Sequence, residues 1–179
     1  MRWTVPAGLL ALLAVPLTVA VVRLAQGVGG ALAVHVASVT LYCGIGAFQF
    51  LPALRRRAWH RRAGRLLLPA GLAAAVSGLW LAVEAGHDVL MAVRLCFGGA
   101  MLASLVLGLA AILRRDVRGH RAWMMRAFAI GAGAGTQAFV QAPWVMLVGQ
   151  PAGAAKAFLL SVGWLINLAV AEWLVQTRF

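Results

Sequence analysis

Acidic side chains are nearly missing from this sequence. Glu84, Asp88, Asp116 and Glu172 are the four carboxylates in 179 residues. Charged residues of both signs make up 11 % of the chain, where soluble domains carry about 25 %. Hydrophobic residues reach 63 %, and the mean hydropathy is +0.91. So little polar surface cannot clothe a water-facing fold, which excludes a soluble enzyme and a disordered chain; the apolar side chains need lipid. The two cysteines, Cys43 and Cys96, lie inside apolar runs with no CxxC or zinc-type spacing, which excludes a disulfide-stapled secreted module. Buried thiols of this kind act as small hydrophobes and say nothing about the compartment. No serine sits in a GxSxG setting, and no Walker-type phosphate loop or HExxH pattern is present.

Arginine is what remains of the charge. The net charge is +12, yet the arginines cluster between apolar runs instead of covering a soluble face, so nucleic acid is not the expected partner. A spanning helix needs about 20 apolar residues, and six segments qualify: Trp3–Val22, Ala31–Leu54, Leu66–Ala85, Val89–Leu113, Ala127–Leu147 and Ala157–Val175. The first is longer than a signal-peptide core and lacks a convincing cleavage site, so it reads as a retained helix. After segment two come Arg55, Arg56, Arg57, Arg61, Arg62 and Arg65; after segment four come Arg114, Arg115, Arg118, Arg121 and Arg126. With Arg2 and Arg178, these fall on one side, leaving Arg23, Arg94 and Lys156 for the other. Short loops rich in arginine stay cytoplasmic. The expectation is an all-α membrane protein: six transmembrane helices in one bundle, residues 1–179 as a single domain, both termini cytoplasmic, the bilayer its first partner.

The two basic connections resemble each other. One reads LRRRAWHRRAGR from Leu54 to Arg65, the other LRRDVRGHRAWMMR from Leu113 to Arg126. Each leaves a helix through Leu-Arg-Arg, reaches His-Arg and ends on arginine. Duplication of a helix pair, 31–85 and 89–148, would produce this; so would two inner loops shaped by the same charge rule.

Small and polar residues mark helix contacts in lipid. His35, Ser38, Tyr42, Gly46 and Gln49 recur at helical spacing in segment two, and Gly71, Ala74, Ser77, Gly78 and Glu84 in segment three. Segment five opens with Gly131, Gly133 and Gly135 before Gln137 and Gln141. An amide in hydrocarbon must be paired, since leaving it bare costs several kcal/mol. Segment one has almost no polar residue and is expected at the periphery.

Ionisable residues inside membrane segments are functional candidates. They fall at two depths. The inner group is His60, Arg65, His120, Arg126 and Glu172; the outer holds His35, Glu84, His87, Asp88 and Arg94. In the inner group Glu172 is expected to meet the arginines that begin segments three and five. Arginine forks bind phosphate or carboxylate in a bidentate manner. The histidines divide two and two, and paired imidazoles at equal depth would suit haem, with His60, His120, His35 and His87 as ligands and Arg65, Arg126 and Glu172 around the cofactor. Against this, His60 and His120 lie beside loops, and segment four has no histidine. Ion pairing between helices accounts for the same inner residues without a ligand. The outer acids read as a salt-bridged turn; no metal site is expected.

The runs HVASVTLYCGIGAFQFLPALRRR, HRRAGR, SGLWLA, GHRAWMMR and NLAVAEWL resemble the family catalogued as domain of unknown function 2306. The resemblance covers roughly His35 to Phe179. It is carried most by His60, Arg61, Gly64 and Arg65, then His120, Arg121, Trp123 and Arg126, then Asn167 and Glu172. It implies a multi-pass protein of the bacterial cytoplasmic membrane and no activity. Three functions remain open. One is a redox or ligand-binding protein with a haem- or quinone-type site at the inner cluster. Another is a small-solute transporter or channel along the His35–Tyr42–Gln49 stripe facing Gln137 and Gln141. The third is an accessory subunit, as a homo-oligomer or within a membrane complex. An enzyme acting on a lipid has only Glu172 and Asp116 as inner-side acids, thin support for acid–base chemistry.

Overall fold

The computed structural model describes residues 4–55 and 58–178, and in Pro52, Arg55 and Arg178 the backbone alone. Arg2, Arg56 and Arg57, which the charge argument assigns to the inner side, lie outside the described residues. All regular structure among the described residues is helical. The helices are α1 (Thr4–Ala25), α2 (Gly30–Gly46, continued by a 3-10 turn, Ala47–Phe50), the single turn α3 (Pro52–Arg55), α4 (Ala58–Glu84), α5 (Val89–Leu113), α6 (Val117–Gly131), α7 (Gly133–Leu147) and α8 (Gly153–Arg178). Five stretches are long and apolar enough to cross a membrane: Thr4–Ala25, Gly30–Phe50, Ala58–Glu84, Val89–Leu113 and Gly153–Thr177.

The expected fifth segment, Ala127–Leu147, is not one continuous helix. It is divided at Ala132 between α6 and α7, each 15 residues long. Neither half alone has the length of a span. Proline is not the cause: α4 runs on through Pro69 and α7 through Pro143. The break lies in the glycine-rich run Gly131–Gly135, where helix propensity is lowest.

The basic connections are also shorter than the hydropathy suggests. Arg61, Arg62 and Arg65 lie within α4, and Arg118, Arg121 and Arg126 within α6. Capping explains the second case. The Asp116 carboxylate accepts from the Gly119 amide at 2.8 Å, starting α6 only three residues past Arg114. Arg115 takes φ 63° to make that turn. Asp88 does the same for α5, accepting from the Met91 amide at 2.8 Å. Both are the carboxylate N-caps that satisfy the bare amides of a first turn.

α2 packs most extensively on α4, and α5 on α6; α4 also packs on α5, and α2 touches α6. These four elements surround one core. Tyr42 of α2, 5 % exposed, slots its ring between Gly71 of α4 and Gly131 of α6. Leu105 and Met101 of α5 approach the same two glycines. Phe128 of α6 fills the space left by Gly46 and meets Phe50 edge-on, ring centroids 4.9 Å apart. In lipid this fit matters more than apolarity, because hydrocarbon solvates leucine as well as a neighbouring helix does. α8 covers α5, α6 and α7, while α1 rests on α2 and α7. α1 buries only Pro6 and Leu13. At Gly135 a Cβ would lie 2.6 Å from the Leu12 carbonyl oxygen, so α1 and α7 meet backbone to backbone. Large apolar side chains such as Trp80, Phe139, Phe158 and Trp173 point outward, the reverse of a soluble surface.

Candidate functional site

Ending a helix inside a bundle frees its last carbonyls, and in hydrocarbon each must find a donor. At the α6–α7 break the donors come from other helices. Asn167 Nδ2 of α8 donates to the Ala129 carbonyl at 3.0 Å. Trp164 Nε1 of α8 donates to Ile130 O at 3.1 Å. Cys43 Sγ of α2 donates to Gly131 O at 3.4 Å. Thr136 Oγ1, one turn into α7, donates to Asn167 Oδ1 at 2.6 Å. Trp164 lies against Gly133, where any side chain would collide with its indole nitrogen, and stacks on Phe97 with centroids 4.6 Å apart. The two glutamines also have partners: Gln137 donates to Leu160 O at 3.0 Å and Gln141 to Gln137 O at 3.1 Å. Gln137 thus bonds to α8 and Gln141 to α7's own backbone.

Five residues were expected at the inner end. Arg126 and Glu172 are joined as a fork: Nε to Oε2 at 3.0 Å, Nη2 to Oε2 at 2.8 Å and Nη2 to Oε1 at 3.1 Å. The guanidinium carbon lies 4.7 Å from the Trp123 ring centroid, one turn earlier on α6. The two side chains are 26 % and 42 % exposed, so this pair ties α6 to α8 at the surface of the bundle. His120, in the first turn of α6, turns to α5, and its Nδ1 sits 2.8 Å from Gly108 O. A carbonyl only accepts, so Nδ1 is the donor of this contact. His60 opens α4, where the Gln49 amide reaches its backbone carbonyl at 3.5 Å. Arg65 is exposed on α4 and does not join Glu172.

The outer residues divide. His35 is half-buried between α2 and α4, its Nδ1 3.0 Å from Ala74 O and 3.3 Å from Ser77 Oγ. Gly78 gives the ring its space. Glu84 and His87 are exposed, and Asp88 is spent as a helix cap. Among the described residues no group of three or more His, Cys, Asp or Glu is placed to hold a metal ion. Sequence reasoning passed over Trp164 and Cys43 as donors. Their signal was the run of small residues at Gly131–Gly135, which announces a break as readily as close packing.

Residues 32–175 match the model of the family described as predicted membrane protein, DUF2306, and the chain belongs to that family. No curated protein and no solved structure matches it.

Proposed function

We propose that this chain crosses a bacterial plasma membrane six times as one domain, with α6 and α7 together making one crossing and both termini cytoplasmic. Its inner end is then a redox or ligand-binding site of the haem or quinone type. The observation that carries the reading is the anchoring of His120. With Nδ1 donating to Gly108 O at 2.8 Å, the ring is oriented as metal-ligating histidines are, by a carbonyl at the second nitrogen. In the neutral form of this tautomer Nε2 carries a lone pair, which would suit a porphyrin iron or the hydroxyl of a quinol and not the carbonyl of an oxidised quinone, which needs a donor. Arg126 is committed to Glu172; exposed Arg65 is the guanidinium of this cluster presented to a carboxylate or phosphate. The two best-formed hollows among the described residues, about 300 and about 290 Å³, line the outsides of α2–α4 and of α1. In this reading the ligand sits at the rim formed by the helix ends, beside His120. His87 is exposed and brings no anchored ring to the site; His35 is anchored like His120 but stands alone in the outer half.

The test is the absorption spectrum of detergent-purified protein, expressed with haem supplied, before and after dithionite. A Soret band that His120→Ala abolishes, and Gln49→Ala leaves, supports the haem form. A featureless spectrum, with no quinol bound at stoichiometric level, refutes the reading and returns the accessory-subunit alternative.

A further inference from the structure

Four carboxylates cannot answer the arginines of this chain. Glu84 ends α4 and Asp88 caps α5, both at the end of the bundle away from the starts of α4 and α6. At the arginine end Asp116 accepts from the Gly119 amide and Glu172 is forked to Arg126. α4 and α5 are consecutive packed helices of 27 and 25 residues. Arg61 and Arg62, near the start of α4, therefore come level with the last turn of α5. Arg114 and Arg115 follow that turn, and Arg118 stands in the first turn of α6. All five are exposed.

The α5–α6 corner holds its arginines in place. The amides of Arg114, Arg115 and Asp116 donate to the carbonyls of Ala110, Ile112 and Ala111 at 3.2, 3.0 and 2.9 Å. Arg115 stands at φ 63°, left-handed backbone where glycine is relaxed and an L side chain is strained. An arginine thus occupies a place that the turn alone would give to glycine. Apolar side chains are interleaved with the charges. Leu113 and Val117 at the corner, and Leu66 one turn past Arg62, are 76 %, 48 % and 48 % exposed.

We infer that this corner binds the headgroup of an anionic phospholipid. Guanidinium forks take a phosphate in a bidentate manner, while Leu113 and Val117 meet the glycerol and the first acyl carbons. A free phosphate or a nucleic-acid strand would answer the arginines and leave these apolar side chains in water. A phospholipid carries both chemistries in one molecule. With the nearby carboxylates committed elsewhere, the charge favours an anionic headgroup over a zwitterionic one. His120 is not part of this surface, since its ring turns to Gly108 of α5; the lipid site stands or falls apart from the haem or quinone reading.

The experiment is native mass spectrometry of the full chain from a nonionic detergent, titrated separately with dioctanoyl phosphatidylglycerol and dioctanoyl phosphatidylcholine. Phosphatidylglycerol is expected to bind about tenfold more tightly. Arg114→Gln with Arg118→Gln should weaken it by about tenfold. Arg23→Gln with Lys156→Gln, the same charge removed at the far end of the bundle, should leave it unchanged. Arg115→Gly separates a lipid contact from a structural role. Relieving the left-handed backbone should leave the thermal midpoint in lipid-free detergent as high or higher, while phosphatidylglycerol binding falls severalfold. Equal binding of the two lipids overturns the inference, as does equal loss from the two double variants or undiminished binding by Arg115→Gly. Displacement of phosphatidylglycerol by sodium phosphate overturns it too, since the site would then be one for free phosphate.

Discussion

Replacing Asn167 by leucine removes two hydrogen bonds at the α6–α7 break and keeps the number of side-chain heavy atoms. The side chain bridges Thr136 at 2.6 Å and the Ala129 carbonyl at 3.0 Å. Side-chain hydrogen bonds between membrane helices contribute about 0.6 kcal/mol each, up to about 1.7. The larger cost is the stranded carbonyl: Ala129 is 9 % exposed, and a buried acceptor without a donor costs roughly 1–3 kcal/mol. Asn167→Leu should therefore destabilise the protein by about 2–4 kcal/mol. Thr136→Val removes one bond and strands no backbone group, so about 1 kcal/mol is expected. The two changes share a partner, so their effects should fall short of additive by about 0.6 kcal/mol or more. Equilibrium unfolding in mixed micelles, followed by tryptophan fluorescence, measures all three variants. A loss below about 0.5 kcal/mol for Asn167→Leu, the range of an indifferent surface change, would refute the reasoning that α8 holds the break.

Other expectations follow from the packing and the caps. Gly135→Ala would place a Cβ 2.6 Å from the Leu12 carbonyl oxygen, so it should cost about 1–3 kcal/mol by thermal denaturation in detergent. Gly64→Ala, with nothing within 4 Å, should gain up to about 1 kcal/mol from helix propensity. Asp116→Ala removes the cap on Gly119 and should cost about 1 kcal/mol, most of it recovered by Asp116→Ser. Glu172→Gln breaks the fork with Arg126, but with 42 % exposure at the carboxylate the loss should stay near about 1 kcal/mol and shrink in high salt.

Much of this was legible in the sequence for identifiable reasons. Hydropathy marks five of the six expected segments as helices long enough to span, because lipid forces every backbone group into local hydrogen bonds. The inward stripe of α2 was legible from helical spacing alone: Tyr42 and Gly46 are buried, and His35 bonds to α4. Glu172, on α8, could be expected to meet an arginine opening a neighbouring helix, since a lone carboxylate in a span needs a cation; that it chose Arg126 over Arg65 depends on the rotation of α4, which no local pattern encodes. The break at Ala132 stayed hidden for a similar reason. Its donors, Cys43, Trp164 and Asn167, lie more than thirty residues away in sequence, so an apolar window over Ala127–Leu147 reads as continuous. Asp88 and Asp116 were misjudged for the opposite reason. As acids in a basic chain they suggested ion pairs or acid–base chemistry, when an aspartate just before a helical run is a capping signal.

The account rests on α6 and α7 acting as one crossing, and topology mapping tests that most directly. Single cysteines at Asp116 and at Gly149, in a chain lacking Cys96, can be labelled in intact cells and in inside-out vesicles with a membrane-impermeant maleimide. The prediction is that Asp116→Cys reacts only from the cytoplasmic face and Gly149→Cys only from the opposite one. Reaction of both from the same face would mean that the broken helix turns back, contradicting the six-crossing architecture and the inner site built on it.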